Sequence, residues 1–199
     1  MHSPASAPLH VRGRPRRAGW TARVACAVVL GVLGWADPAD AAPEESALQA
    51  AYVLNFAKFT EWPPAGMPGK LGVMQLCQFG ARDELAQAFR ALEGRSLQGA
   101  PVQWRKVNRL DEVRGCHVLF IAETGLSLVQ LGGIPVLTVS DLPGFAQQGG
   151  VIGLVRQSGR LRFEVNRGAA QASGLRLSAD LLSLAMSVVD GTVRREGSL

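Results

Sequence analysis

The stretch 116-CHVLFIA-122 decides the fold. Five apolar residues in succession follow a histidine, with no polar residue alternating among them. A strand with one wet face alternates, whereas one buried on both faces does not. The run therefore predicts a strand in the middle of a sheet covered on both sides. Its neighbours extend the pattern. Upstream, 70-KLGVMQLC-77 and 101-PVQWRKV-107 read as strands, separated by a helical 82-RDELAQAFRAL-92 that Gly94 ends. Downstream, a short helix over 124–131 leads to a further buried strand, 135-PVLTVS-140.

The pattern then changes. The loop 141-DLPGFAQQGG-150 precedes 151-VIGLVRQ-157, and Ser158-Gly159 joins this run to 160-RLRFEVN-166. Two turn residues between strand-like runs are a hairpin signal. Asn166 is placed to cap a short helix over 167–173, and Ser178 a last helix over 179–190, before Gly191. The expectation is an α/β three-layer sandwich: a mixed, mostly parallel sheet with helices on both faces and an antiparallel hairpin at its C-terminal edge. Residues 42–191 read as one domain and 192–199 as a loose tail.

Before this domain, five arginines at positions 12–23 precede the apolar run 24-VACAVVLGVLGWA-36 and an A-x-A site at Ala39–Ala41. That order predicts a signal peptide over 1–41, cleaved after Ala41. The apolar run, at about 13 residues, is short for a bilayer span. The whole chain carries +5, but residues 1–41 hold five of the arginines against Asp37 and Asp40. The remainder is nearly balanced, and it has no basic patch interleaved with aromatics, so nucleic acid is not an expected partner.

Cys77 and Cys116 remain after cleavage. In an oxidising compartment an even pair is expected to cross-link, two separate buried thiols being the alternative. Strand order alone makes the bond awkward. If Cys77 ends one strand and Cys116 starts another, parallel pairing holds them apart unless one cysteine has turned into a loop.

The helix over 46–62, opened by Ser46 and stopped by Pro63-Pro64, raises a different question. At about 100° per residue, Leu48, Tyr52, Phe56, Phe59 and Trp62 share one side, and Asn55 falls among them. If that side packs on the sheet, Asn55 is buried and needs hydrogen-bond partners. Enzyme chemistry is poorly provided for. His117 is the one histidine beyond the leader, no cluster of metal-ligating residues accompanies it, and no nucleophile elbow or phosphate-binding loop is present. No metal or cofactor is expected. The loop after the 135–140 strand, with Ser140, Asp141 and Phe145, is the best-placed binding element, because open α/β sheets bind ligands beyond the carboxyl ends of their strands.

Three stretches carry a family resemblance: 50-AAYVLNFAKFTEWP-63, 136-VLTVSDLPGFAQQGGVIGL-154 and 160-RLRFEVNRGAAQASGLRLSADLLSLA-185. Together they resemble the YfiR family of periplasmic regulators. The resemblance implies a disulfide between Cys77 and Cys116. It also implies a regulator that holds the sensor domain of an inner-membrane partner inactive, a diguanylate cyclase or a sensor kinase, lowering cyclic di-GMP and biofilm formation. A homodimer is compatible with it. Asn55, Ser140, Asp141, Phe145, Glu164 and Asn166 lie in its motifs, as binding or structural polar positions. Some members carry a second cysteine pair near 150–158, and this chain has none there. The rival expectation is a periplasmic small-molecule binder with a pocket by the 140–150 loop. A regulator should show an exposed apolar patch, and a solute binder a deep pocket with convergent polar groups.

Overall fold

The computed structural model describes residues 41–191. Residues 1–40, all but the last residue of the expected 1–41 leader, and the tail 192–199 lie outside the described residues, and so do the readings made for them. Helix α1 (Ala41–Lys58) is followed by a short strand β1 (Thr60–Glu61) and helix α2 (Pro68–Leu71). Then come β2 (Met74–Phe79), α3 (Asp83–Arg90), β3 (Ser96–Leu97), β4 (Ala100–Val107), β5 (Val118–Ile121) and β6 (Leu137–Ser140). The hairpin β7 (Ile152–Gln157) and β8 (Arg160–Asn166) leads to α4 (Arg167–Ala172), β9 (Arg176–Leu177), α5 (Ala179–Leu184) and β10 (Ser187–Val189).

Eight strands form one sheet in the order β10-β8-β7-β6-β5-β2-β4-β3. Only β7–β8 and β3–β4 pair antiparallel in it. The α/β class and the mostly parallel sheet are therefore as the sequence implied, and β5 lies in the middle. Its alternate residues divide between two cores. Val118 and Phe120 join Leu76, Val139 and Phe163 beneath α1 and α3. Leu119 and Ile121 join Cys77, Val107 and Phe145 on the other face, under 3-10 turns at 110–113 and 128–131 and the 141–150 loop.

The hairpin is tight because Ser158 and Gly159 both take positive φ, 50° and 74°, which gives a primed turn whose twist matches the strands. It is not the sheet's edge. The chain beyond α4 returns and lays β10 parallel to β8, pairing Val188 with Val165. The expected helix over 179–190 thus stops at Leu184. Ala185 is already extended, with ψ 141°, and an edge strand replaces the last turns.

Two further starts were misplaced. The helix begins at Ala41, so Ser46 is a buried residue within it and not its cap. Residues 68–71 are helical and Gly72 stops them in the left-handed region, so the first long strand starts at Met74 and not at 70. At its other end α1 is closed by a distant side chain. Gln98 Nε2 donates to the carbonyl of Ala57 (2.9 Å), a group the helix end leaves without a partner, and to that of Thr60 in β1 (2.7 Å).

The phase of α1 also differs from the sequence reading. Its buried side is Ser46, Gln49, Ala50, Val53, Phe56 and Ala57. Small residues let the helix approach the sheet closely. Leu48 and Asn55 are exposed, while Tyr52 and Phe59 are half-buried at the margin. The expectation of a buried Asn55 is therefore corrected. The amide meets water because the bulky stripe is the flank of the helix and not its base.

Cys77 and Cys116 form a disulfide with Cα atoms 5.9 Å apart. Parallel pairing and the bond coexist. Cys77 sits inside β2, opposite Leu119, and Cys116 lies in the turn that precedes β5. The bond therefore does not weigh against a parallel sheet, and the cysteine turned into a loop is Cys116.

Candidate functional site

The carboxyl ends of β2, β5 and β6 come first, since β2 has β4 on one side and β5 on the other. Such a reversal of strand order opens the crevice where open sheets take ligands. Here the chain fills it. Gly80, at φ 95°, leaves room that Glu123 occupies: a Cβ on Gly80 would stand 2.6 Å from Glu123 Cγ. The Glu123 carboxylate accepts from the Ala81 N–H at 3.3 Å, the amide just ahead of α3. A carboxylate of the protein thus stands where an anionic ligand would find helix amides.

The polar residues of the next loop are likewise engaged with the fold. Ser140 is fully buried. Its hydroxyl donates to the Ile121 carbonyl (2.6 Å) and accepts from the Leu142 N–H (3.0 Å), stitching β5 to β6. Asp141 accepts from Arg82 Nη1 at 2.7 Å and from Gln49 Nε2 at 3.0 Å, and Arg82 Nη2 donates to Gln49 Oε1. This triad ties α1 to the start of α3 and to the 141–150 loop, with the Arg82 guanidinium over the Phe120 ring. Phe145 is buried against Gly150, where any Cβ would collide with its ring.

Asn166 is fully buried. Its Oδ1 caps α4 by accepting from the Ala169 N–H, and its Nδ2 donates to the Ala146 carbonyl at 2.7 Å. Glu164 accepts from Gln147 (2.7 Å) and from Ser187 of the edge strand (3.2 Å). Five of the six polar or loop positions singled out in the sequence are therefore gathered at one end of the sheet, where they brace the 141–150 loop. A cavity of about 370 Å³ adjoins that loop at Gly149, with Thr138, Gly132, Ala169 and Ser173 in its wall. No charged side chain lines it, and the Thr138 hydroxyl is taken by the Val151 N–H at 2.9 Å. Convergent polar groups of the kind a solute site needs are lacking.

Asn55 is the sixth position, and it lies elsewhere. It lines a groove of about 470 Å³ between α1 and α5, with Tyr52, Phe59, Phe163, Leu181 and Leu184. Tyr52, Phe56 and Phe163 form its floor as a cluster of edge-on and tilted rings, and the Tyr52 hydroxyl donates to the Leu161 carbonyl at 3.2 Å. Leu184 stands on its rim at 68% exposure. From there the apolar surface continues onto β10. Met186, in the bend just before β10, and Val188, within it, are both exposed. β10 is also a sheet edge, with a row of backbone groups facing outward.

The YfiR/HmsC-like family profile matches residues 46–186, from the first buried residue of α1 to the last residue before β10. The chain belongs to the YfiR/HmsC-like family. Membership points to a periplasmic regulator of cyclic di-GMP signalling rather than to a catalyst. A search of curated proteins returned no match. Among the described residues of this YfiR/HmsC-like chain, no helix is long and apolar enough to cross a membrane.

The sequence reading expected an exposed apolar patch on a regulator. The exposed Leu184 ends α5, Met186 lies in the bend before β10, and Val188 lies in β10. What that reading missed is the Gln49–Arg82–Asp141 triad and the Glu123 plug. Each joins residues 33 to 92 positions apart, so no local pattern announces it.

Proposed function

We propose that this YfiR/HmsC-like protein docks on the periplasmic sensor domain of an inner-membrane diguanylate cyclase and holds it inactive. The observation that carries the reading is the open apolar surface running from the α1–α5 groove over Leu184 to Met186 and Val188. Soluble proteins rarely leave such a continuous patch uncovered without a partner for it. Support also comes from the family match, and from the engagement of the 140–150 loop's polar groups within the fold, which leaves the small-molecule reading without a receptive site there.

The test is genetic and biochemical. Deleting the gene should raise intracellular cyclic di-GMP, and the wild-type copy should restore it. Leu184→Asp and Met186→Asp should fail to restore it while keeping wild-type melting temperatures. Unchanged cyclic di-GMP in the deletion strain would reject the reading.

A further inference from the structure

The hairpin brings charge to the rim of the apolar groove. β10 covers only Glu164–Asn166 of β8, so residues 160–163 have no strand on their outer side. Helix α1 runs beside that free edge, where the Tyr52 hydroxyl donates to the Leu161 carbonyl. A second hollow of about 380 Å³ opens between edge and helix, bounded by Leu48, Tyr52, Leu161, Arg160 and Arg162. Tyr52 and Arg162 also line the α1–α5 groove, so the two hollows make one channel along the flank of α1.

The rim of this channel has one sign of charge. Arg160 and Arg162 are exposed and border it, although strand alternation roots them on the hairpin face opposite Leu161 and Phe163. Their register partners across the hairpin are Gln157 and Val155, which bring no charge. The neighbouring carboxylates are engaged elsewhere. Glu45 holds Arg156 at 2.6 Å, and Glu164 accepts from Gln147 and Ser187. Asp180, in the first turn of α5, is outside the channel wall. Among the described residues, no ion pair includes Arg160 or Arg162, and no carboxylate lines the channel. Other surface arginines sit beside carboxylates, Arg109 with Asp111 and Arg167 with Asp190. Past the far end of the channel, Lys58 Nζ stands 5.7 Å from the centre of the Phe59 ring. An apolar trough is thus flanked by cations at both ends.

We infer that the channel receives an apolar segment of the partner's sensor domain that carries carboxylates at its two ends, one end meeting Arg160 and Arg162 and the other Lys58. This rests on the docking reading above and adds the chemistry of the occupant. Apolar side chains fill the trough over Tyr52, Phe59 and Leu184, while the unpaired cations draw in an acidic segment and repel a basic one. Such rim charges act on the rate of encounter and the choice of partner, and salt screens them.

Tyr52 is the one tyrosine of the chain, so 3-fluorotyrosine labelling places a single fluorine resonance in the channel. The probes are synthetic peptides with a common Leu-Phe-Leu core flanked by Asp, Asn or Lys, and vesicles of phosphatidylglycerol. The Asp peptide should shift the resonance saturably, and its binding should weaken several-fold between about 50 and about 300 mM salt. Arg160→Glu with Arg162→Glu should weaken it about tenfold or more. Arg95→Glu with Arg114→Glu, an equal change of charge away from the channel, should leave it unaltered. A silent Asp peptide, equal binding of the Asn and Lys peptides, or a response to the vesicles alone would each overturn the inference, the last assigning the surface to lipid. In cells, the Arg160 and Arg162 reversal should raise cyclic di-GMP, as Leu184→Asp does, at a wild-type melting temperature. If Leu184→Asp releases the cyclase and the reversal does not, the charge inference fails and the docking reading stands. If deletion of the gene changes nothing, the docking reading fails, and the peptide series still judges the channel. Should the reversal variant not fold, Arg160→Gln with Arg162→Gln takes its place, and the salt dependence of Asp-peptide binding should then be lost.

Discussion

At the scale of single residues, Asn166 bears two duties with one amide. It caps α4 through Oδ1 and satisfies the Ala146 carbonyl through Nδ2, in complete burial. Asn166→Ala removes a cap worth about 1 kcal/mol and leaves a buried carbonyl without a donor, at about 1–3 kcal/mol more. We expect a loss of roughly 2–4 kcal/mol in urea unfolding. Asn166→Asp should recover only the cap. Asn55 makes the contrast. It is exposed on the groove wall, so Asn55→Ala should change stability by less than about 0.5 kcal/mol. Its effect, if the groove binds the partner, should show in cyclic di-GMP output and not in the melting curve. The two asparagines look alike in the sequence, and only their partners separate them. Asn166 announced its cap because Ala169 is three residues away, whereas its second partner is 20 residues upstream and gave no sign.

At the scale of elements, legibility followed the range of the deciding interaction. The hairpin, the caps of α4 and α5 and the buried β5 rest on local chemistry: two turn residues, an Asn, a Ser, an apolar run. The phase of α1 does not. Bulk favoured the stripe Leu48–Tyr52–Phe59, but close approach to the sheet selected Ala50, Val53 and Ala57, leaving the bulky side for the groove. The end of α5 was illegible for a similar reason. Leu181, Leu184, Ala185 and Val188 fit a helical period, and no glycine or proline marks a stop. Pairing with β8 turns the last of them into a strand. The disulfide also belongs to this scale, since it fastens the turn before β5 to the middle of β2 and closes a loop with a separation of 39 residues. In the chain-entropy account such a loop contributes roughly 3–4 kcal/mol. Replacing both cysteines by serine should therefore lower the melting temperature by about 6–16 °C, with wild-type cyclic di-GMP control at growth temperature if the bond is only structural.

At the scale of the whole molecule, the crevice at the carboxyl ends of β2, β5 and β6 and the β10 side of the sheet have different tasks. The crevice is closed by Glu123 and by the triad of Gln49, Arg82 and Asp141. The α1–α5 groove and the β10 edge are left open and apolar. Breaking the triad should loosen the first without touching the second. Arg82→Ala leaves Asp141 with Gln49 as its remaining partner and withdraws a guanidinium from Phe120. The pair is about a quarter exposed, so we expect a loss of only about 1–2 kcal/mol in urea unfolding, smaller than that of Asn166→Ala.

The same arrangement governs how the chain can be made. Helix α1 comes first in the fold, yet its buried face rests on strands from the far end. Tyr52 meets Leu161, Phe56 meets Phe163, and Glu45 pairs with Arg156, separations of 107 to 111 residues. Early contacts cannot be consolidated while the later hairpin is missing, and such long closures are slow. A chain threaded amino end first through a translocation channel would show Val53, Phe56 and Ala57 bare to its surroundings until almost its last residues had passed. In a chain exported this way, slow consolidation would keep the chain loose enough to thread, and a holding chaperone on the far side would meet those apolar residues before the hairpin covers them.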